Sequence, residues 1–444
     1  MVLDFEQILQ DNLEDIISLL SIPSVYDEDS IKEGQPYGEY VHKAFVFMKD
    51  KALADGFAVS EYDGHALAVQ FGKGPHRIDI PCHLDVVAAD EDDFRIRIEE
   101  GKLIGRGTMD MKVPMYLCYL SLKLLKEKYP DMSKMIRLVL GGDEERTMND
   151  LKYYISQAGF PDFAFTPDGS FPMGIGEKGA IMWELKGHYD GIITSLRSGS
   201  QCNIVPGFAE CLLNDLRKAE GIKAYIRKEG IDGEADIENG KLHLQVKGTA
   251  CHASRPFMGH SALNDLLKII NAFYDDELAK NLYAVFGDAY GRGFDSYVSE
   301  EPSACLSVNP GILKISDHEV YGQVDCRYPY GKEAQELTAK LQKHCILDVK
   351  LAYNDDPTLC QEDDVYVQTL LKNYRDITND LIEPIISGGV TYSKVFKHCV
   401  SYGPGHPERP SVAHQKGEYI DLAYCVRLFR IYYNAIEKLI LLEV

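Results

Sequence analysis

At 444 residues the chain is longer than one ordinary hydrophobic core supports, so two or more domains are expected. Its 45% hydrophobic and 26% charged content is that of a globular protein, and a formal net charge of −22 argues against nucleic acid or an anionic membrane as partner. No run of 18 apolar residues occurs, which excludes a conventional helical membrane span.

The first 25 residues carry neither a basic segment nor an unbroken apolar stretch, so no signal peptide is expected, and the expected location is cytoplasmic. Ile8, Leu9, Leu13, Ile16, Ile17 and Leu20 recur at helical spacing and predict one amphipathic opening helix. The eleven cysteines are scattered without a CxxC pair, as expected of reduced thiols packed in the interior.

Residues 56–72 read as two strands around an Asp63-Gly64 turn. RIDIPCHLDVV (77–87) reads as a buried strand ending in His83-Leu84-Asp85. Alternation along a strand puts His83 and Asp85 on one face. A hairpin around Gly101 precedes GRGTMDMKVP (105–114), where Pro114 fits the first residue of a helix. Asp110 then sits on the loop before that helix. The strand MIRLVL, two glycines and Asp143-Glu144-Glu145 follow, then a helix, and then the strand FAFTP ending at Asp168.

Strand–helix alternation of this kind predicts an α/β fold with a parallel or mixed sheet, and such sheets place their chemistry beyond the carboxyl ends of the strands. From about Gly179 the texture changes, and 180–356 reads as an inserted α+β domain. The expected division is 1–179, 180–356 and 357–444, with the first domain resuming in the last segment. That segment shows a helix at 364–376, the strand EPIIS, a glycine pair at Gly388-Gly389, a loop carrying His414 and a long final helix starting at EYIDL.

Five potential metal ligands thus stand at the ends of predicted elements: His83, Asp110, Glu145, Asp168 and His414. Histidine nitrogen and carboxylate oxygen are the donors zinc takes in catalytic sites. Two ions need about seven or eight protein contacts, which five residues supply if one carboxylate bridges and others chelate. The adjacent pair Glu144-Glu145 can divide its labour, one binding metal and the other serving as general base.

Taken in order, HLDVV, GRGTMD, GDEE, TPDGSFP, GTACHASRP and AHQKGEY resemble the motifs of the dinuclear zinc metallopeptidase family of aminoacylase, carnosinase and succinyl-diaminopimelate desuccinylase, and in particular its PepV-type bacterial dipeptidases. The resemblance spans nearly the whole chain. It implies a mixed-sheet catalytic domain of the zinc exopeptidase type with an inserted α+β lid. It further implies that His83 and Asp168 bind one metal, Glu145 and His414 the other, and that Asp110 bridges them. Asp85 would orient His83, and Glu144 would act as general base on a metal-bridging water. His252 would stabilise the oxyanion, while Asn203, Arg327 and the Gly388-Gly389 backbone would contact substrate.

Two divalent ions are implied, Zn2+ foremost, with Mn2+ or Co2+ as alternatives. The expected activity is hydrolysis of dipeptides or very short peptides by a monomer. One alternative is an N-acyl or N-succinyl amino acid amidohydrolase; another is a non-catalytic homologue that binds metal or peptide. The sequence departs from the family pattern where Met111-Lys112-Val113 replaces Asp-Lys-Gly and Gly169-Ser170 replaces Ala-Glu.

Overall fold

A computed structural model describes residues 3–301, 304–406 and 411–443. By internal contacts the chain divides into two compact units, one of Met1–Gly176, Leu359–Ile385 and Val390–Val444, the other of Glu177–Thr358 and Ile386–Gly389. The division assigns Ile386–Gly389 to the second unit, a detail that a boundary drawn from sequence at 356/357 does not contain.

The first unit is built on a mixed sheet. Six of its strands run in the order Ala58–Tyr62, Ala66–Phe71, Met135–Gly141, Arg77–His83, Phe163–Thr166 and Cys399–Ser401. The last four lie parallel to one another, Ala66–Phe71 is antiparallel to Met135–Gly141, and Ala58–Tyr62 is antiparallel to Ala66–Phe71. Arg77–His83 is buried almost throughout, as a strand covered on both faces must be. The helices Lys112–Lys128 and Leu422–Leu441 are packed together beside it, with Tyr116, Leu117, Leu428 and Tyr432 fully buried. Each such side chain contributes roughly 1.5–3 kcal/mol of apolar burial.

Three local expectations need correction. The opening segment forms two helices, Phe5–Asp11 and Leu13–Leu20, because Asn12 breaks the first turnover: its side-chain amide donates to the Ile8 carbonyl at 2.8 Å. The helix placed at Pro114 starts two residues earlier, at Lys112. Proline is still tolerated there, since the first-turn N–H groups have no partner within the helix. The final helix starts at Leu422, whereas Tyr419–Asp421 is a strand paired with Lys102–Ile104 of the Gly101 hairpin. Ile420 is buried in that pairing, a tertiary gain that helical periodicity alone does not reveal.

The second unit is an eight-stranded antiparallel sheet. Its order is Gly233–Glu238, Lys241–Lys247, Phe208–Leu213, Ile193–Ser198, Ser307–Ser316, Glu319–Tyr328, Gly179–His188, Asp348–Asp355. Alternation along Lys241–Lys247 buries Leu242, Leu244 and Val246 while the intervening side chains stay partly exposed. Those residues join Leu263, Leu266 and Ile270 of the amphipathic helix Ala262–Phe273 in one core. Trp183 lies within the same core, its indole N–H donating to Thr338 Oγ1 at 2.8 Å.

Candidate metal centre

Strand register assembles the centre in the first unit. His83 is the register partner of Gly141, and Leu84 N–H donates to the Gly141 carbonyl at 2.9 Å. The chain therefore leaves both strands at the same level, delivering His83-Leu84-Asp85 beside Gly142-Asp143-Glu144-Glu145. Phe163–Thr166 flanks Arg77–His83 on the other side and carries Asp168 two residues past its end.

Asp110 stands between two histidines. Its Oδ1 lies 2.9 Å from His83 Nε2, and its Oδ2 lies 3.0 Å from His414 Nε2. Glu145 Oε1 is also 3.0 Å from His414 Nε2, and Asp168 Oδ2 is 3.7 Å from His83 Nε2. Donor atoms of His83, Glu144 and Asp168, and again of His83, Asp110 and Glu145, lie within 4.8 Å of one another. All five residues expected as ligands thus meet at one place, along with Glu144. One carboxylate presents a different oxygen to each imidazole, with Glu145 and Asp168 beside it, so the cluster offers enough donors for two cations sharing Asp110.

Asp85 holds the site differently from the simplest expectation. His83 Nδ1 is 2.9 Å from the main-chain carbonyl of Asp85 and 3.6 Å from its carboxylate. Because Nδ1–H donates to the carbonyl, the Nε2 lone pair of a neutral His83 faces Asp110. The Asp85 carboxylate instead accepts the Glu145 N–H at 3.0 Å, steadying the loop that bears both glutamates.

Two supporting groups escaped the sequence reading. Glu418 is fully buried. Its Oε1 accepts the N–H groups of Met109 (2.8 Å) and Asp110 (3.2 Å), and its Oε2 accepts from the buried Arg106 Nη1 at 2.7 Å. Asp150, in the first turn of the helix Asn149–Ala158, accepts the N–H groups of Gly142 (2.6 Å) and Asp143 (2.8 Å) through Oδ2, to which Tyr392 also donates. An acidic residue in the first turn of the helix that follows the Gly141-Gly142 pair was the available signal for Asp150.

The departures from the family pattern also find places. The peptide between Asp110 and Met111 is cis. The Met111 side chain is buried, and its sulfur lies 3.4 Å from the His83 amide nitrogen, which donates to it. Lys112 is buried, with Nζ donating to the Ile22 carbonyl at 2.8 Å. At Gly169 the backbone has φ +145°, and a Cβ would sit 2.5 Å from Ser401 Oγ, so a larger residue does not fit.

The electrostatics follow from the crowding of these acids and bases. Burial opposes charge on His83, but Asp110, Glu144 and Asp85 outweigh it and raise its pKa. Hydrogen bonds to Asp110 and Glu145 push His414 up to about 10. Burial resists ionisation of Asp110, yet its two imidazole partners hold it well below the ordinary carboxylate range. Burial, then the neighbouring Asp168, Glu145 and Asp110 carboxylates, raise Glu144.

The residues expected to contact substrate lie in the second unit. His252 Nδ1 accepts the Ser254 backbone N–H at 3.2 Å and lies 2.8 Å from Ser254 Oγ, so the neutral ring carries its proton on Nε2. Burial and the nearby Arg327 charge lower its pKa, favouring that neutral form. Arg327 is buried and held by both oxygens of Asp325, through Nε and Nη2 at 3.0 Å each. Asn203 is exposed and takes the Ala253 N–H on its main-chain carbonyl at 2.8 Å. Gly388 packs against Ser254, where a Cβ would approach to 3.0 Å, and the Gly389 N–H is taken by Ser387 Oγ at 3.0 Å.

Comparison with known proteins gives concordant results. Residues 80–438 match the model of "Peptidase family M20/M25/M40". The chain is 30% identical to "Putative dipeptidase YtjP" of Bacillus subtilis (strain 168), with 97% of each chain covered. Among solved structures, human carnosine dipeptidase 1 superposes with a TM-score of 0.60 at 13% identity, covering 99% of this chain and 98% of that one. The Saccharomyces cerevisiae dipeptidase Dug1p gives 0.59 at 14% identity over 99% and 98%. At such identities the structural likeness speaks for the fold. The matched family model and the 30% identical relative establish that the chain belongs to peptidase family M20/M25/M40.

Proposed function

We propose that the protein is a dinuclear metallopeptidase that hydrolyses dipeptides or very short peptides. The observation that carries this reading is Asp110, with one oxygen on His83 and the other on His414. In the proposal His83 and Asp168 hold one divalent cation, Glu145 and His414 hold the other, and Asp110 is shared. Zn2+ suits the mixed imidazole and carboxylate donors, and Mn2+ and Co2+ are the other candidates. When bound, such a pair supplies Lewis acidity for the scissile carbonyl and makes water more acidic.

The chain's own groups supply the remainder. Glu144, raised above the ordinary carboxylate range, is suited to take a proton from the attacking water and pass it to the leaving amine. His252, neutral with its proton on Nε2, is suited to donate to the oxyanion. Arg327, already oriented by Asp325, is suited to a substrate carboxylate, with Asn203 and the Gly388 backbone as further polar contacts. Asp85 acts through His83 and the Glu145 amide as a positioning residue.

Relatives named as dipeptidases across nearly the full length of the chain support peptide over N-acyl amino acid substrates. Among the described residues no helix is long and apolar enough to cross a membrane. We propose a monomer acting in the cytoplasm. The test is chelator-stripped protein assayed on dipeptides, β-alanyl dipeptides and N-acyl amino acids, with Zn2+, Mn2+ or Co2+ restored. Metal-dependent turnover of dipeptides is expected; turnover of N-acyl amino acids alone would overturn the substrate class, and no turnover with any metal would overturn the activity.

A further inference from the structure

The second unit holds another group of metal-type donors, composed of residues unrelated to the strand-end centre. His188 ends the strand Gly179–His188. Asp317 and His318, both left-handed at φ 48° and 65°, form the two-residue turn joining Ser307–Ser316 to Glu319–Tyr328. The turn is tied to the strand end, since the Tyr189 N–H donates to the His318 carbonyl at 2.8 Å. Asp190 follows directly, and its two oxygens face two different imidazoles: Oδ2 is 3.0 Å from His188 Nε2 and Oδ1 is 2.8 Å from His318 Nδ1. The ligand atoms of the three residues lie within 4.8 Å of one another, and all three side chains are exposed.

We propose that His188, Asp190 and His318 bind one borderline divalent cation of the Zn2+, Ni2+ or Cu2+ class, with solvent completing the coordination. Metal–ligand distances of about 2.0–2.2 Å place tetrahedral donors about 3.4 Å apart. The two imidazoles now face different oxygens of Asp190, at 3.0 and 2.8 Å, and rotation of the three exposed side chains brings both nitrogens and one carboxylate oxygen to that spacing. A carboxylate also stands near the other nitrogen of one imidazole. His188 Nδ1, turned away from Asp190, is 3.6 Å from the Glu319 carboxylate, and Glu319 is the cross-strand partner of His188. His318 Nδ1 now also contacts the Tyr189 carbonyl at 3.2 Å and relinquishes that contact on binding.

Two imidazoles with one carboxylate disfavour Mg2+ and Ca2+, which take oxygen donors. The bound ion pins the Asp317-His318 turn to the end of the neighbouring strand. None of the three residues belongs to the proposed catalytic set, so the site stands or falls separately from the proposed activity.

The test uses full-length, tag-free protein, stripped with chelator and dialysed to equilibrium against micromolar free Zn2+, followed by elemental analysis. Wild type is expected to hold one zinc more than His188→Ala, His318→Ala or Asp190→Asn, with peptide hydrolysis by each variant within about two-fold of wild type. Equal zinc contents in wild type and all three variants would overturn the proposal. So would an equal difference when Mg2+ replaces Zn2+, because the donor set would then not be selecting the cation.

Discussion

His83 Nε2 and Asp110 Oδ1 lie 2.9 Å apart, with the imidazole fully buried and its other nitrogen fixed by the Asp85 carbonyl. The second Asp110 oxygen faces His414 at 3.0 Å. A carboxylate shared in this way is the element on which both proposed cations depend. Asp110→Ala is therefore expected to hold at least one metal fewer per chain than wild type and to lose hydrolysis, as measured by elemental analysis and a dipeptide assay. A metal content equal to that of wild type would contradict the shared-ligand assignment.

Glu418 holds the Asp110 loop from behind, through the Met109 and Asp110 amides, while neutralising Arg106. Glu418→Ala leaves a buried guanidinium unpaired and should destabilise the fold by about 3–5 kcal/mol in denaturant titration. Glu418→Gln keeps an acceptor for the amides and should cost less. Its expected mark is a metal affinity lower by about 10–100-fold, the usual range for groups that orient ligands.

Metal binding should expel protons. His414 is raised from its ordinary 6.5 to about 10 by Asp110 and Glu145, so its ring is charged at neutral pH in metal-free protein. A cation needs the neutral ring, so affinity should rise with pH up to about 10, by about tenfold per unit for each proton released. Calorimetry at pH 7 in buffers of different ionisation enthalpy reads that release directly. For folding the sign is opposite. This pKa is raised in the folded state, so its stabilisation of metal-free protein is complete below about 6.5 and is lost as pH rises through about 10.

His252→Ala removes the proposed oxyanion donor without touching any proposed ligand. The expected loss is about 10²–10³ in kcat, with metal content unchanged. A change confined to KM would assign His252 to ground-state binding instead.

Much of the candidate centre was legible in the sequence because three of its proposed ligands, His83, Glu145 and Asp168, sit where strands end. Apolar runs terminating at His83, Glu144-Glu145 and Asp168 are local signals, and parallel register converts them into neighbours. Glu418 was missed because Tyr419–Asp421 carries helical periodicity but pairs with the Gly101 hairpin, a partner more than 300 residues away in sequence. Asp85 illustrates a different limit. Its place beside His83 was readable, but the division of work between its carbonyl and its carboxylate depends on atomic geometry. Arg327 was named for its motif, whereas the Asp325 fork that orients it follows from strand alternation, which places residues two apart on one face.

In the proposed reaction Glu144 moves the proton while its neighbours hold the metals. Glu144→Gln preserves shape and removes the base, so the decisive measurement pairs metal content with the single-turnover rate of dipeptide hydrolysis on the same sample. Metal content is predicted to equal that of wild type, with a rate lower by at least about 10²–10⁴-fold, the range typical of a lost general base. A fully loaded Glu144→Gln protein that hydrolyses dipeptides at a rate near wild type would contradict it.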